Sequence, residues 1–268
     1  MQKYKILLNK NFWNINKNIS IFAVKISKKM MTQKAIQKIS LLLCDTYPEL
    51  LPEGIPSHES MFFNLFRPIN PDLTFDIYRV MDGELPEQFE PETLYLIPGS
   101  NNAAYDDLPW IQALQEWIRK AASLKVPLVG ICFGHQLIAQ ALGGRVERFA
   151  GGWGVGIRES QILDEQLRTY FPDGRLRLIV NHHDQVMQLP EGATSLATSD
   201  FCRYDGFRIG HHILTFQGHP EFSKDYERHL ILNHSENEDD TVKQQALKTL
   251  EEMEAQGEKI ARFLLGVS

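Results

Sequence analysis

Cys132 stands between two glycines in the stretch VGICFGHQ, residues 129–136. A thiol attacks other molecules only as thiolate, so its surroundings decide whether it reacts or merely packs. A short apolar run, residues 126–131, precedes it and an amphipathic stretch, residues 133–142, follows. That pattern predicts a buried strand leading directly into a helix. Gly-x-Cys-x-Gly is the thiol counterpart of the Gly-x-Ser-x-Gly elbow, where small flanking residues permit a sharp turn. The turn would set the sulfur at the carboxyl end of a sheet and at a helix N-terminus, where the dipole and free N–H groups favour an anion. The N–H of Phe133 would then lie where an oxyanion forms. A buried structural cysteine is the competing reading. The strand before and the helix after favour the presented thiol.

A nucleophilic cysteine needs a base, and the base needs a group to orient it. Of nine histidines, His219 in TFQGHPEF suits best. An apolar strand, residues 213–216, delivers it, and Pro220 stiffens the turn. His219 and Glu221 are two apart, so an extended backbone sends both side chains to one face. The competing reading is a surface His and Glu at a strand end. The pairs His182-His183 and His211-His212 raise the question of a metal. Adjacent strand residues point to opposite faces, and no compact ligand spacing occurs. No metal and no other cofactor is expected. Cys44 and Cys202 are expected to be packing residues.

The elements that must position these groups alternate in the first half. Strands are predicted at residues 38–45, 73–80, 93–100 and 126–131. Helices are predicted after Ser57, over 108–124, and over 133–142, where Gly143 and Gly144 close the last one. Such alternation implies an α/β fold with a mostly parallel central sheet flanked by helices. The second half reads as successive strands or hairpins, residues 153–162, 175–186, 195–200, 205–212 and 213–221, an added antiparallel portion. Residues 239–265 read as one long helix whose Leu247, Leu250, Ile260, Phe263 and Leu264 need burial.

Composition narrows the function classes. Residues 1–44 hold nine lysines and no acidic residue, while the other 224 residues hold all 34 acidic side chains against 19 of the 28 basic ones, a balance of −15. So acidic a body does not suit nucleic acid, whose phosphates need a positive face. No apolar run approaches the roughly 20 residues of a membrane span. Three cysteines make no disulfide framework and suit a reducing compartment, so a cytoplasmic location is expected. Residues 1–35 are expected to be a disordered basic extension or to lie upstream of the native start, with the folded domain at 36–268. A targeting peptide and a basic arm for an anionic partner are the other readings of that segment.

GICFGHQ followed by GHPE resembles the class I (triad) glutamine amidotransferases. PGSNNAAYDDLPWI, residues 98–111, and NHHDQV, residues 181–186, strengthen the resemblance, which runs from about residue 38 to about residue 235. It points to stand-alone members similar to the glutaminase domain of GMP synthase. It implies a flavodoxin-like sheet and hydrolysis of a γ-glutamyl amide through a γ-glutamyl thioester. By motif, it implies Cys132 as nucleophile, His219 as general base and acid, and Glu221 as orienter. The oxyanion loop falls on Gly99-Ser100, with the N–H of Phe133 as second donor. Gln136 falls near the substrate amide, and His182 and Asp184 near the substrate's α-amino and carboxylate groups. The loop departs from the family at Asn101, where relatives often carry Pro, and at Ala103, where Ser is frequent.

The implied substrate is glutamine or another γ-glutamyl compound. No G-x-x-x-x-G-K-[ST] phosphate loop occurs, so the chain is not expected to activate an ammonia acceptor itself. Three readings follow: a glutaminase serving a separate synthetase subunit, a stand-alone γ-glutamyl peptidase acting on glutathione-like substrates, and a non-catalytic binding protein.

Overall fold

A computed structural model describes residues 36–45, 55–233 and 239–267. The expectations for residues 1–35 lie outside the described residues. The apolar runs of the first half form strands buried at nearly every position: β1 (Lys38–Leu43), β3 (Thr93–Ile97) and β4 (Leu128–Ile131). Burial of consecutive residues marks strands covered on both faces. β2 (Thr74–Arg79) is only half-buried and lies at the sheet edge.

Among the described residues these strands join a nine-stranded sheet in the order β2-β1-β3-β4-β11-β10-β9-β6-β7. The later members are β6 (Gly154–Ile162), β7 (Arg175–His182), β9 (Ala193–Thr198), β10 (Gly206–Ile209) and β11 (Ile213–Phe216). The five strands from β2 to β11 pair in parallel, and the rest pair antiparallel. The expected α/β sheet with an antiparallel portion is therefore present. A separate two-stranded sheet joins β5 (Arg145–Arg148) to β8 (Asp184–Gln188). The stretch 175–186 thus serves two sheets, changing from one to the other at His183.

The helices are α1 (His58–Phe66), α2 (Pro109–Ser123), α3 (Phe133–Ala141), the single turn α4 (Glu165–Arg168), α5 (Lys224–Asn233), α6 (Asp240–Glu252) and α7 (Gly257–Leu265). Ser57 caps α1 as expected, its Oγ accepting from the Ser60 N–H. α1 and α7 bury Phe62, Phe66, Ile260, Phe263 and Leu264 in one core, while α2 and α3 bury Ile111, Leu114, Leu137 and Ile138 in another. A third cluster packs Ile231, Ala246 and Leu250 of α5 and α6 on Val155, Ile157 and Ile179.

The C-terminal segment is not one helix. The break falls at Gln256, whose N–H donates to the Arg177 carbonyl and whose Oε1 accepts from the Arg177 N–H, both at 2.8 Å. Edge groups of β7 need partners, and Gln256 supplies them only by leaving the helix. Gly257 then sits against the Pro220 carbonyl, where a Cβ would overlap. Leu250, Ile260, Phe263 and Leu264 are buried, and Leu247 is half-buried.

Candidate active site

Parallel pairing of β3, β4 and β11 brings their carboxyl ends to one edge of the sheet. Open α/β sheets bind ligands at that edge. Cys132 follows β4, Gly99 follows β3, and His219 follows β11. The register aligns Ile131 with Phe216, and the Cys132 N–H donates to the Phe216 carbonyl at 2.9 Å.

Cys132 occupies the N-cap of α3 with φ 50° and ψ −105°. A non-glycine residue rarely adopts such a positive φ, which costs of order 1–3 kcal/mol. The two glycines of the elbow make the turn possible. A Cβ on Gly130 would come within 2.5 Å of the Gly134 carbonyl oxygen, and one on Gly134 would overlap the carbonyl of Ile97. The Gly134 N–H donates to the Pro98 carbonyl at 3.1 Å, joining the elbow to the loop after β3. Phe133 is the first residue of α3, so its N–H has no partner within the helix.

His219 is 4% exposed and Cys132 is 7% exposed. The imidazole Nδ1 and Glu221 Oε1 lie 2.7 Å apart, which leaves the other ring nitrogen for the Cys132 thiol; the imidazole and the Cys132 side chain both lie against Gly99. Burial opposes protonation of the ring, but the Glu221 carboxylate and Cys132 outweigh it and push His219 up to about 10. The predicted nucleophile, base and orienter therefore meet, drawn from two strand ends. Such a set can hold an imidazolium beside a thiolate.

The loop after Gly99 is tied at several points. Ser100 Oγ accepts from the Asn102 N–H at 3.2 Å. The Asn101 N–H donates to Asp45 Oδ2 at 2.7 Å, a bond that the family's frequent proline could not make.

Gln136, His182 and Asp184 also come together, in an arrangement that spacing does not reveal. Gln136 Nε2 donates to the Asp184 carbonyl at 2.8 Å, and His182 Nδ1 lies 3.0 Å from the same oxygen. The Gln136 amide also donates to Gln217 Oε1 at 3.2 Å. Burial pushes His182 down to about 3, so its ring is neutral and Nδ1–H is the donor. Gln136 and His182 thus fasten the Asp184 backbone, and the Asp184 carboxylate faces the Tyr105 hydroxyl.

Tyr105, Gln217 and Phe222 were not singled out in the sequence. Tyr105 is 45% exposed, and Phe222 stacks on His219 with ring centroids 3.8 Å apart. Tyr105 and Gln217 lie inside stretches already of interest, but their partners are distant in the chain and carry no local signal.

A family model, glutamine amidotransferase class-I, matches residues 66–236. γ-Glutamyl peptidase 3 of Arabidopsis thaliana is 39% identical over 56% of this chain and 64% of its own length. The chain therefore spans just under two thirds of that relative. γ-Glutamyl peptidase 2 of the same plant is 32% identical over 72% of this chain and 79% of its own. A solved structure, a glutamine amidotransferase from Thermotoga maritima, superposes with a TM-score of 0.65 at 24% identity, covering 85% of this chain and 96% of that one. At that identity the likeness is one of fold.

Proposed function

The chain belongs to the glutamine amidotransferase class-I family and is an enzyme of that class; from that premise we propose that it hydrolyses the γ-glutamyl C–N bond of glutamine through Cys132, His219 and Glu221. The observation that carries this reading is the buried His219–Glu221 pair at 2.7 Å, with the imidazole and the Cys132 side chain both lying against Gly99. In the first step the thiolate attacks the side-chain carbonyl. The new C–S bond forms, and the oxyanion is met by the N–H of Phe133 and the backbone at Gly99-Ser100. The C–N bond then breaks, and the proton held by His219 goes to the departing nitrogen, which leaves as ammonia. His219 next takes a proton from water, whose oxygen displaces sulfur and releases glutamate. Asp184 is the group suited to the substrate's α-ammonium. Gln136 and His182 act by holding its backbone.

A second reading is supported by the names of the Arabidopsis relatives: the donor is a γ-glutamyl peptide and the leaving group an α-amine. The same acyl-enzyme serves both donors. Under the first reading the ammonia would pass to a synthetase on a separate chain. No described helix is long and apolar enough to cross a membrane, and the buried free thiols suit the cytoplasm.

The test is to incubate the full chain with glutamine and, separately, with glutathione. Ammonia, glutamate and released dipeptide are measured, with Cys132→Ala as control. Cys132-dependent ammonia release supports the glutaminase, and Cys132-dependent dipeptide release supports the peptidase. Turnover of neither, with no γ-glutamyl adduct on Cys132 by mass spectrometry, would sink both.

A further inference from the structure

We propose that Phe222 is a positioning residue for His219: its ring face fixes the plane of the imidazole between Cys132 and Glu221 and stabilises that ring in its charged form. This rests on the reading of Cys132 and His219 as nucleophile and base. The two rings are nearly parallel, with centroids 3.8 Å apart and 12° between their planes. The imidazole thus lies over the face of the phenyl ring, where a cation is attracted. The geometry therefore suits an imidazolium, the state that Glu221 and Cys132 favour.

Phe222 is itself held. Tyr226 of α5 meets it edge-on at 4.7 Å, and His58 of α1 does so at 5.9 Å. His58 Nε2 and the Tyr226 hydroxyl lie 3.2 Å apart, closing the frame. The ring also has little room on another side: a Cβ on Gly99 would come within 3.0 Å of His219 Cε1. The titratable groups facing His219 are Glu221 beyond β11, Cys132 at the N-cap of α3, His58 of α1 and His182 of β7. Burial and the charge of His219 push His58 down to about 3. His58 is therefore neutral beside the charged ring, which leaves Phe222 as the stacking partner.

The test uses the full chain, with no substrate. The rate of Cys132 alkylation by iodoacetamide is followed against pH, together with thiolate absorbance, in wild type, Phe222→Met and Phe222→Tyr. Cys132→Ala gives the background from other thiols. In Phe222→Met the midpoint of thiolate formation should move up by about one pH unit, with roughly tenfold slower alkylation below it. Phe222→Tyr keeps the ring face and should keep the wild-type profile. A merely structural role would change thermal unfolding without moving that midpoint. A folded Phe222→Met with the wild-type midpoint overturns the proposal. Phe222→Leu is read in the same way should Phe222→Met not fold, and failure of both to fold would make Phe222 a packing residue and also overturn it. If His219→Gln leaves the wild-type alkylation profile unchanged, the underlying reading of the thiol and imidazole has failed instead.

Discussion

Glu221 sets both the tautomer and the charge of His219. It is buried, and its Oε1 lies 2.7 Å from Nδ1. Glu221→Gln keeps the shape but removes the charge and can present the wrong tautomer. We expect kcat to fall by roughly 10²–10⁴, with smaller changes in KM, measured by ammonia or dipeptide release. Cys132 carries a second residue-scale consequence. Its φ of 50° is strained for any residue with a Cβ. Cys132→Gly should therefore unfold at a higher temperature than Cys132→Ala, with a difference of about 1 kcal/mol despite the greater unfolded-state entropy of glycine. Equal stability would show that the elbow is relaxed in solution.

At the scale of elements, α5 must be held close to the sheet for Phe222 and Tyr226 to frame His219. Glu227 does this from inside the fold. It is fully buried, its Oε1 accepts from the Gly156 N–H at 3.1 Å, and its Oε2 accepts from Asn181 Nδ2 at 3.3 Å. Glu227→Ala leaves those donors buried without that acceptor, which costs about 3 kcal/mol. Chemical denaturation should show that loss, with turnover reduced because α5 moves. Unchanged stability would mean that the helix is held by apolar packing alone. The sequence carries a pattern of charge over residues 224–233 but no apolar stripe strong enough to announce this helix. Its one fully buried carboxylate was therefore not legible.

On the scale of the whole molecule, three histidines among the described residues are buried in neutral form. Burial pushes His58, His135 and His182 each down to about 3, against an ordinary value near 6.5. The unfolded chain binds these protons first. Stability is therefore complete above pH ~6.5 and is lost as pH falls toward 3, by up to about 4 kcal/mol per unit while all three contribute. His219 has the opposite sign. Its raised value stabilises the fold below pH ~6.5, and that contribution is lost as pH rises through about 10. Thermal melts from pH 4 to 10 should show a plateau near neutrality with a fall on both sides. The acid limb should shallow in His182→Gln.

Local patterns were enough to reveal the strand–elbow–helix around Cys132, the alternation that makes the first half α/β, and the shared face of His219 and Glu221. Each depends on residues within a few positions of one another, where periodicity, glycine size and the two-residue repeat of a strand act directly. The rest depends on contacts between distant segments. The pairing of β11 with β4 carries His219 to Cys132 across 87 residues. Two predicted site residues, Gln136 and His182, converge on the carbonyl of a third, Asp184. The expected C-terminal helix breaks because the edge of β7 needs hydrogen-bond partners from Gln256. His58 of α1 reaches the Phe222 ring from more than 160 residues away in the chain. Strand order and backbone satisfaction are settled by the whole chain at once, so no local window contains them.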